Sequence, residues 1–200
     1  MAGTTSNVMK SGAKVWVAPS GTAYPETSVA AGASWGASWV DFGFTSSSLT
    51  LNYEFSEVEF MAEQVPAPLK RQKTDEHLTV EVTLSEVTAA NLKYAFGGDQ
   101  TISTTAAGAS QKGYEEMPFG GSFALTEYVL GFEGEHFDSA GDKQPVRVFF
   151  NGTININGNL ELSSRGDSYV GVPIQMKALA DTSNSNRLGV FQRVTANATS

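Results

Sequence analysis

Four glutamates fall close together in one stretch: Glu54, Glu57, Glu59 and Glu63. Two facing carboxylates are the equipment of a glycosidase, one protonating the leaving oxygen and the other attacking or activating water. The stretch Leu49–Phe60 alternates in the manner of a strand, however, so Glu54 points away from Glu57 and Glu59. Carboxylates on opposite faces cannot flank one bond, and the run reads as a solvated acidic face. The chain has two histidines, His77 and His136, and neither a Gly-x-Ser-x-Gly elbow nor a His-Glu-x-x-His pair. Asp138-Ser-Ala-Gly-Asp142 looks like a calcium loop but lacks the full series of oxygen ligands and the closing glutamate. Arg165-Gly166-Asp167 matches a cell-adhesion tripeptide and is better read as a hairpin turn. Asn151-Gly-Thr and Asn197-Ala-Thr fit the glycosylation sequon, which acts only in a secreted chain. There is no cysteine, which excludes disulfides and thiolate metal sites. These readings assign no catalytic residue, metal ligand or cofactor, and the chain is not expected to be an enzyme.

Bulk properties narrow the field further. Thirteen basic against 21 acidic residues leave a formal net charge of -8. Such a chain does not bind nucleic acid by neutralising phosphates, although it can line a passage to which nucleic acid must not stick. The start, Met1-Ala-Gly-Thr-Thr-Ser, lacks the basic and apolar regions of a secretory signal. No apolar run has the length of a membrane helix, so no membrane insertion is expected. Abundant Gly, Ser, Thr and Asn with few charges suit a β-rich protein with many turns.

The element that organises the chain is a hairpin from Leu49 to Leu84. On its first strand Leu49, Leu51, Tyr53 and Phe55 share one face, and Thr50, Asn52, Glu54 and Ser56 the other. On the return strand Leu78, Val80, Val82 and Leu84 oppose His77, Thr79, Glu81 and Thr83. Between the strands, Gln64–Glu76 is expected to be a long polar loop. Pro66 and Pro68 remove backbone donors there, and Lys70, Arg71 and Lys73 cluster at the tip. Loops of this length tend to be functional.

The remainder reads as follows. Residues 1–13 form a flexible arm, and Lys14–Pro19 a strand. Thr22–Ser38 is a Gly/Ala/Ser-rich loop, and Trp39–Phe44 a short aromatic strand. Glu86–Phe96 is the one helix, capped by Ser85 and stopped by Gly97-Gly98; it plugs an open end of the β body. Thr101–Gln111 and Glu133–Gln144 are loops. Further strands are expected at Phe123–Phe132, Val146–Asn157, from Leu160 to Ser163, and at Tyr169–Ala178. Residues 181–200 form a flexible arm in which Leu188–Val194 is a last strand or docks on a neighbour. The fold class is mainly β, a sandwich or barrel with one flanking helix, in a single domain over 1–200.

The wet face of the long strands has two readings. It is plain solvent exposure, or the strands pair edge to edge between copies and close a larger barrel, which would also remove the exposed edges. A rival of another class is a β-sandwich carbohydrate- or ligand-binding module that uses Trp35, Trp39 and Tyr24 as a stacking platform.

The order of features resembles the major tail tube proteins of long-tailed bacteriophages. It runs from Trp39-Val-Asp-Phe-Gly-Phe44 through a turn to the alternating strand Leu49–Phe60 and Gln64. The Pro/Lys/Arg segment, Thr74-Asp-Glu76 and the return strand follow. Leu84-Ser85-Glu86 then leads into Thr88-Ala-Ala-Asn-Leu-Lys-Tyr-Ala-Phe-Gly97. The resemblance implies a structural virion protein that self-assembles into stacked hexameric rings and conducts DNA into the host. It implies lumen-facing Thr50, Asn52, Glu54, Ser56, Thr79, Glu81 and Thr83. It places Gln64, Lys70, Arg71, Lys73, Asp75 and Glu76 in contacts between rings or subunits. Its partners would be itself and the tape measure, tail terminator and tail tip proteins. Double-stranded DNA would pass without specific binding. The location would be the virion tail, assembled in the host cytoplasm. A needle-like tube of bacterial secretion systems shares the fold.

Overall fold

From Leu78 to Leu84 every second side chain is buried and those between are half-buried, and this alternation builds most of the body. The computed structural model describes residues 9–121, 124–160 and 170–197. Its strands are β1 (Met9–Pro19), β2 (Val40–Asp41), β3 (Thr50–Ala62), β4 (Val65–Leu84), β5 (Ser103–Thr105), β6 (Tyr114–Glu116), β7 (Glu127–Phe137), β8 (Lys143–Ile156), β9 (Val172–Ala178) and β10 (Gly189–Arg193), with one helix, α1 (Ala89–Ala95). Of the strand expected at Leu160–Ser163 only Leu160 is described, and the turn at Arg165–Asp167 lies outside the described residues, as do residues 1–8, Phe123 and Tyr169.

The main sheet is antiparallel in the order β2-β1-β7-β8-β9-β4-β3, with β10 also on β8. β8 divides one edge between two partners: Val146–Phe150 pairs with β10, and Gly152–Ile156 with β9. The sheet curls until its far members share one core. Val15 and Val17 of β1 pack in the same cluster as Leu78, Val80, Val82 and Leu84 of β4, together with Leu130, Phe150, Ile154, Ile174 and Met176. The segment after β2 bonds to both margins. Phe42 N donates to Val15 O at 2.9 Å, Ser46 N to Thr83 O at 2.9 Å and Ser85 N to Phe44 O at 2.7 Å. The result is a nearly closed, barrel-like body, in keeping with the mainly-β class with one helix.

The helix is shorter than the expected Glu86–Phe96. Its N-cap is Thr88, whose hydroxyl accepts from Asn91 N at 3.1 Å, because Ser85 is still committed to the sheet margin. Asn91 sits on the buried face and donates to Phe42 O and Glu86 O. Gly97 and Gly98 both have positive φ and end the helix as expected. Two loops were too long in the sequence reading. Glu133–Phe137 extends β7, leaving only a tight turn before Lys143, and Ser103–Thr105 pairs with β6.

A second layer covers the outer face of β1, β7 and β8. Trp16, Trp35, Trp39, Val129 and Phe149 form a separate buried cluster, roofed by the loop over residues 22–38. A buried ion pair fastens this roof. Arg147 Nε donates to Glu133 Oε2 at 2.8 Å, with the two side chains 0% and 3% exposed. The guanidinium also donates to Glu26 O at 3.0 Å and Val29 O at 2.6 Å. Glu133 accepts from Gly32 N at 2.6 Å and Trp35 Nε1 at 3.0 Å.

Candidate assembly surface

The hairpin β3–β4 projects from the body as a bare ladder. Of the 13 residues of β3, none is buried and only Ala62 is half-buried. The expected loop over Gln64–Glu76 is not a loop. Glu63 and Gln64 make a tight turn, and the ladder runs on with Ala62 opposite Val65, Phe60 opposite Lys70, Glu59 opposite Arg71 and Glu57 opposite Lys73. Two features hid this. Pro66 and Pro68 fall in the register shift between Phe60 and Ala62, on a strand segment with a free outer edge, where a missing donor costs little. The stretch from Lys70 to Glu76 is polar on both faces, so it shows no period-two apolar signal.

Register sorts the hairpin into two faces. One carries Leu51, Tyr53, Phe55, Glu57 and Glu59 with Val80, Leu78, Glu76, Lys73 and Arg71. The other carries Thr50, Asn52, Glu54, Ser56, Val58 and Phe60 with Glu81, Thr79, His77, Asp75, Gln72 and Lys70. A one-residue bulge at Thr74, between the pairs Ser56–Asp75 and Glu57–Lys73, keeps each face aligned. Contacts agree with this sorting. Arg71 Nη2 lies 2.7 Å from Glu59 Oε1 and Nη1 3.5 Å from Glu57 Oε1, while His77 Nε2 lies 2.8 Å from Asp75 Oδ2 on the opposite face. Glu54 is separated from Glu57 and Glu59, as alternation requires.

The expected polar set therefore does share one surface, and the sheet widens it. Thr50 stands opposite Glu81, Glu81 opposite Gln175 and Gln175 opposite Asn155. In the next row Asn52 stands opposite Thr79, Thr79 opposite Lys177 and Lys177 opposite Thr153. Gln175 Nε2 donates to Glu81 Oε1 at 2.7 Å, and Asn52 Nδ2 to Glu54 Oε1 at 2.9 Å. Gln175, Lys177, Asn155 and Thr153 were missed as members of this face. Alternation in β9 and β8 placed them off the core, but only register joins them to the hairpin.

The basic cluster is dispersed. Lys70 and Asp75 lie on the polar-set face, Arg71, Lys73 and Glu76 on the other, and Gln64 in the turn. Arg71 is engaged within the hairpin by Glu57 and Glu59. Lys73 Nζ donates to Tyr53 Oη at 2.6 Å and Glu76 Oε1 at 3.0 Å and lies over the rings of Tyr53 and Phe55. The Tyr53 and Glu76 hydrogen bonds hold its ammonium pKa above the ordinary lysine value. Apart from that one cation the apolar side chains stand open: Leu51 is 47%, Tyr53 43%, Phe55 50%, Val58 43% and Phe60 48% exposed.

Other candidates resolve structurally. Trp35 and Trp39 are each 6% exposed, and Tyr24 stacks on Phe149 with ring centroids 4.4 Å apart. They are core and roof, which removes the sugar-stacking platform. Asp138 accepts from Ala140 N and Asp142 N, both at 2.9 Å, and from Gln144 Nε2 at 3.0 Å. Its carboxylate folds the turn on itself, and these bonds lower its pKa below the ordinary value. Among the described residues no three acidic or histidine side chains gather as metal ligands, and no helix is long and apolar enough to cross a membrane.

No curated protein matches the chain. A family model described as phage tail tube protein matches residues 1–190.

Proposed function

Because the chain belongs to the phage tail tube protein family, we propose that its copies pair hairpin to hairpin into hexameric rings that stack into the tail tube. One observation carries this reading. β3 is a 13-residue edge strand with its outer edge unpaired and its apolar face uncovered, and such an edge is a template for another chain. In β4 only Thr79–Leu84 pairs with β9, so its outer edge is equally free from Val65 to Leu78. A copy that offers two free edges on one hairpin can be joined on both sides, and repetition closes a ring without leaving an edge.

In such a ring the wet face of β3, β4, β9 and β8 lines the bore. Thr50, Asn52, Glu54, Ser56, Thr79, Glu81 and Thr83 would face passing DNA, joined by Gln175, Lys177, Asn155 and Thr153. Glu54 and Glu81 outnumber Lys177 there, and an excess of like charge keeps the duplex from adhering as it slides. Gln64, Lys70, Arg71, Lys73, Asp75 and Glu76 lie on the far half of the hairpin, where they meet other subunits or rings. Tape measure, tail terminator and tail tip proteins are the expected partners, and the finished tube belongs to the virion tail. Assembly in the host cytoplasm is part of the same proposal.

Electron microscopy of the purified protein at high concentration tests the reading. Hollow tubes or six-membered rings are the expected result. A protein that stays monomeric at every concentration, and also when mixed with its native tail partners, refutes it.

A further inference from the structure

The hairpin changes the phase of its hydrophobic pattern half-way along. Up to Phe55 the apolar residues are Leu51, Tyr53 and Phe55, on the face that continues the core. Beyond it, as far as the ladder keeps its register, they are Val58 and Phe60, on the face of Thr50, Asn52, Glu54 and Ser56; Met61 falls in the register shift beside the turn. β3 itself has no extra residue to account for the switch, since the bulge lies in β4. On the far half, moreover, the core-side face is occupied by the ion pairs of Glu57 and Glu59 with Arg71. One face is thus dry near the body and charged beyond it, and the other is wet near the body and dry beyond it. A continuous aqueous bore cannot be lined by Val58 and Phe60, so the two halves meet different surroundings.

From this inversion we infer that the far half of the hairpin docks through Val58, Phe60 and Lys70 onto the surface around Phe119 and Leu125 of a second copy of this chain; the inference rests on the tube reading above. Charge complementarity selects the occupant. Lys70 stands opposite Phe60 and makes no ion pair among the described residues, unlike Arg71 and Lys73. Phe119 is 67% and Leu125 59% exposed, and Phe119 packs edge-on against Phe96 at 5.0 Å. Just upstream, the exposed Glu115 and Glu116 of β6 make no ion pair among the described residues, and Lys112 leaves the stretch net acidic. The other bare aromatics fit less well. Phe44 is flanked by Asp41 and Glu86, whose carboxylates already accept from the Gly43 and Phe44 amides. Phe191 stands two residues from the cation of Arg193.

The absence of cysteine makes a clean test. Phe60→Cys and Phe119→Cys are prepared as separate proteins, checked for native circular dichroism, assembled together and oxidised. The expected result is a disulfide dimer abundant in the mixture and scarce when either variant is assembled alone. In parallel, Lys70→Glu is expected to lose tubes, and Glu115→Lys with Glu116→Lys in the same chain to restore them. Normal tubes in which the mixture gives no more dimer than the single variants overturn the docking surface and leave the tube reading standing. Absence of any ring or tube from the wild-type protein overturns the tube reading itself, and this inference with it.

Discussion

Replacing Arg147 by Met keeps most of the stem volume and removes the guanidinium. In the native protein that group bonds Glu133, Glu26 O and Val29 O, and its carbon centre lies 5.5 Å from the Trp35 ring centroid. The variant leaves the Glu133 carboxylate, 3% exposed, without its counter-charge. Removing one partner of a buried pair costs about 3–5 kcal/mol, because the other charge stays desolvated. For a chain of this size each kcal/mol lowers Tm by roughly 2–4 °C, so the drop should be about 6–20 °C. Arg71→Met is the internal control: it breaks the ion pairs on the hairpin, where the arginine side chain is 60% exposed. Exposed pairs contribute about 0–1 kcal/mol. Urea unfolding of both variants at assembly-free dilution, followed by tryptophan fluorescence, separates them. The Arg147 variant should also emit further to the red before unfolding, as the roof lifts, carrying Trp35 with it and uncovering Trp39. Equal stability for the two variants would refute the claim that this pair fastens the roof.

The remaining predictions concern assembly, packing and acid. Tyr53→Asp with Phe55→Asp should leave the melting temperature within a few degrees of wild type, since surface changes are worth about 0.5 kcal/mol each, yet abolish rings and tubes in micrographs. Gly152→Ala should destabilise by about 1–3 kcal/mol in urea unfolding, because a Cβ there runs into the Lys177 carbonyl across the β8–β9 ladder. Asp138 has a folded-state pKa below its ordinary value. It therefore adds stability that is complete above the ordinary carboxylate range and is lost as pH falls through the folded value. Asp138→Asn should flatten the acid limb of a urea-midpoint titration between neutral pH and about pH 2; an unchanged limb would remove this turn from the acid response.

The legible parts of this chain were those in which local pattern and tertiary environment agree. Leu78–Leu84 and Val172–Met176 alternate because one face meets the core and the other does not, and the residue types record it. Gly97-Gly98 announced the helix end because the αL backbone favours glycine. The failures share a cause of their own. Lys70–Glu76 pairs with β3 through the backbone ladder and, at Arg71, through cross-strand ion pairs, and neither leaves an apolar period. Glu133 and Arg147 each look like surface charges within their strands; only the folding back of residues 22–38 buries them. The wet face was half legible: β3 and β4 gave their share from alternation, whereas Gln175 and Lys177 join it through pairing across about a hundred residues of chain.

The register also sets an order of events in time. β3 meets β4 across a two-residue turn, whereas Val15 meets Phe132 and Val80 meets Met176. Local pairing closes quickly, and long loops close slowly. On the ribosome the hairpin can form well before β7, β8 and β9 have emerged. The edge that invites another chain is then present before the body that should carry it. For such a protein, premature pairing between nascent chains is the characteristic hazard. Pulse-labelled hydrogen exchange would detect this order as early protection in β3–β4 and late protection in β1 and β9.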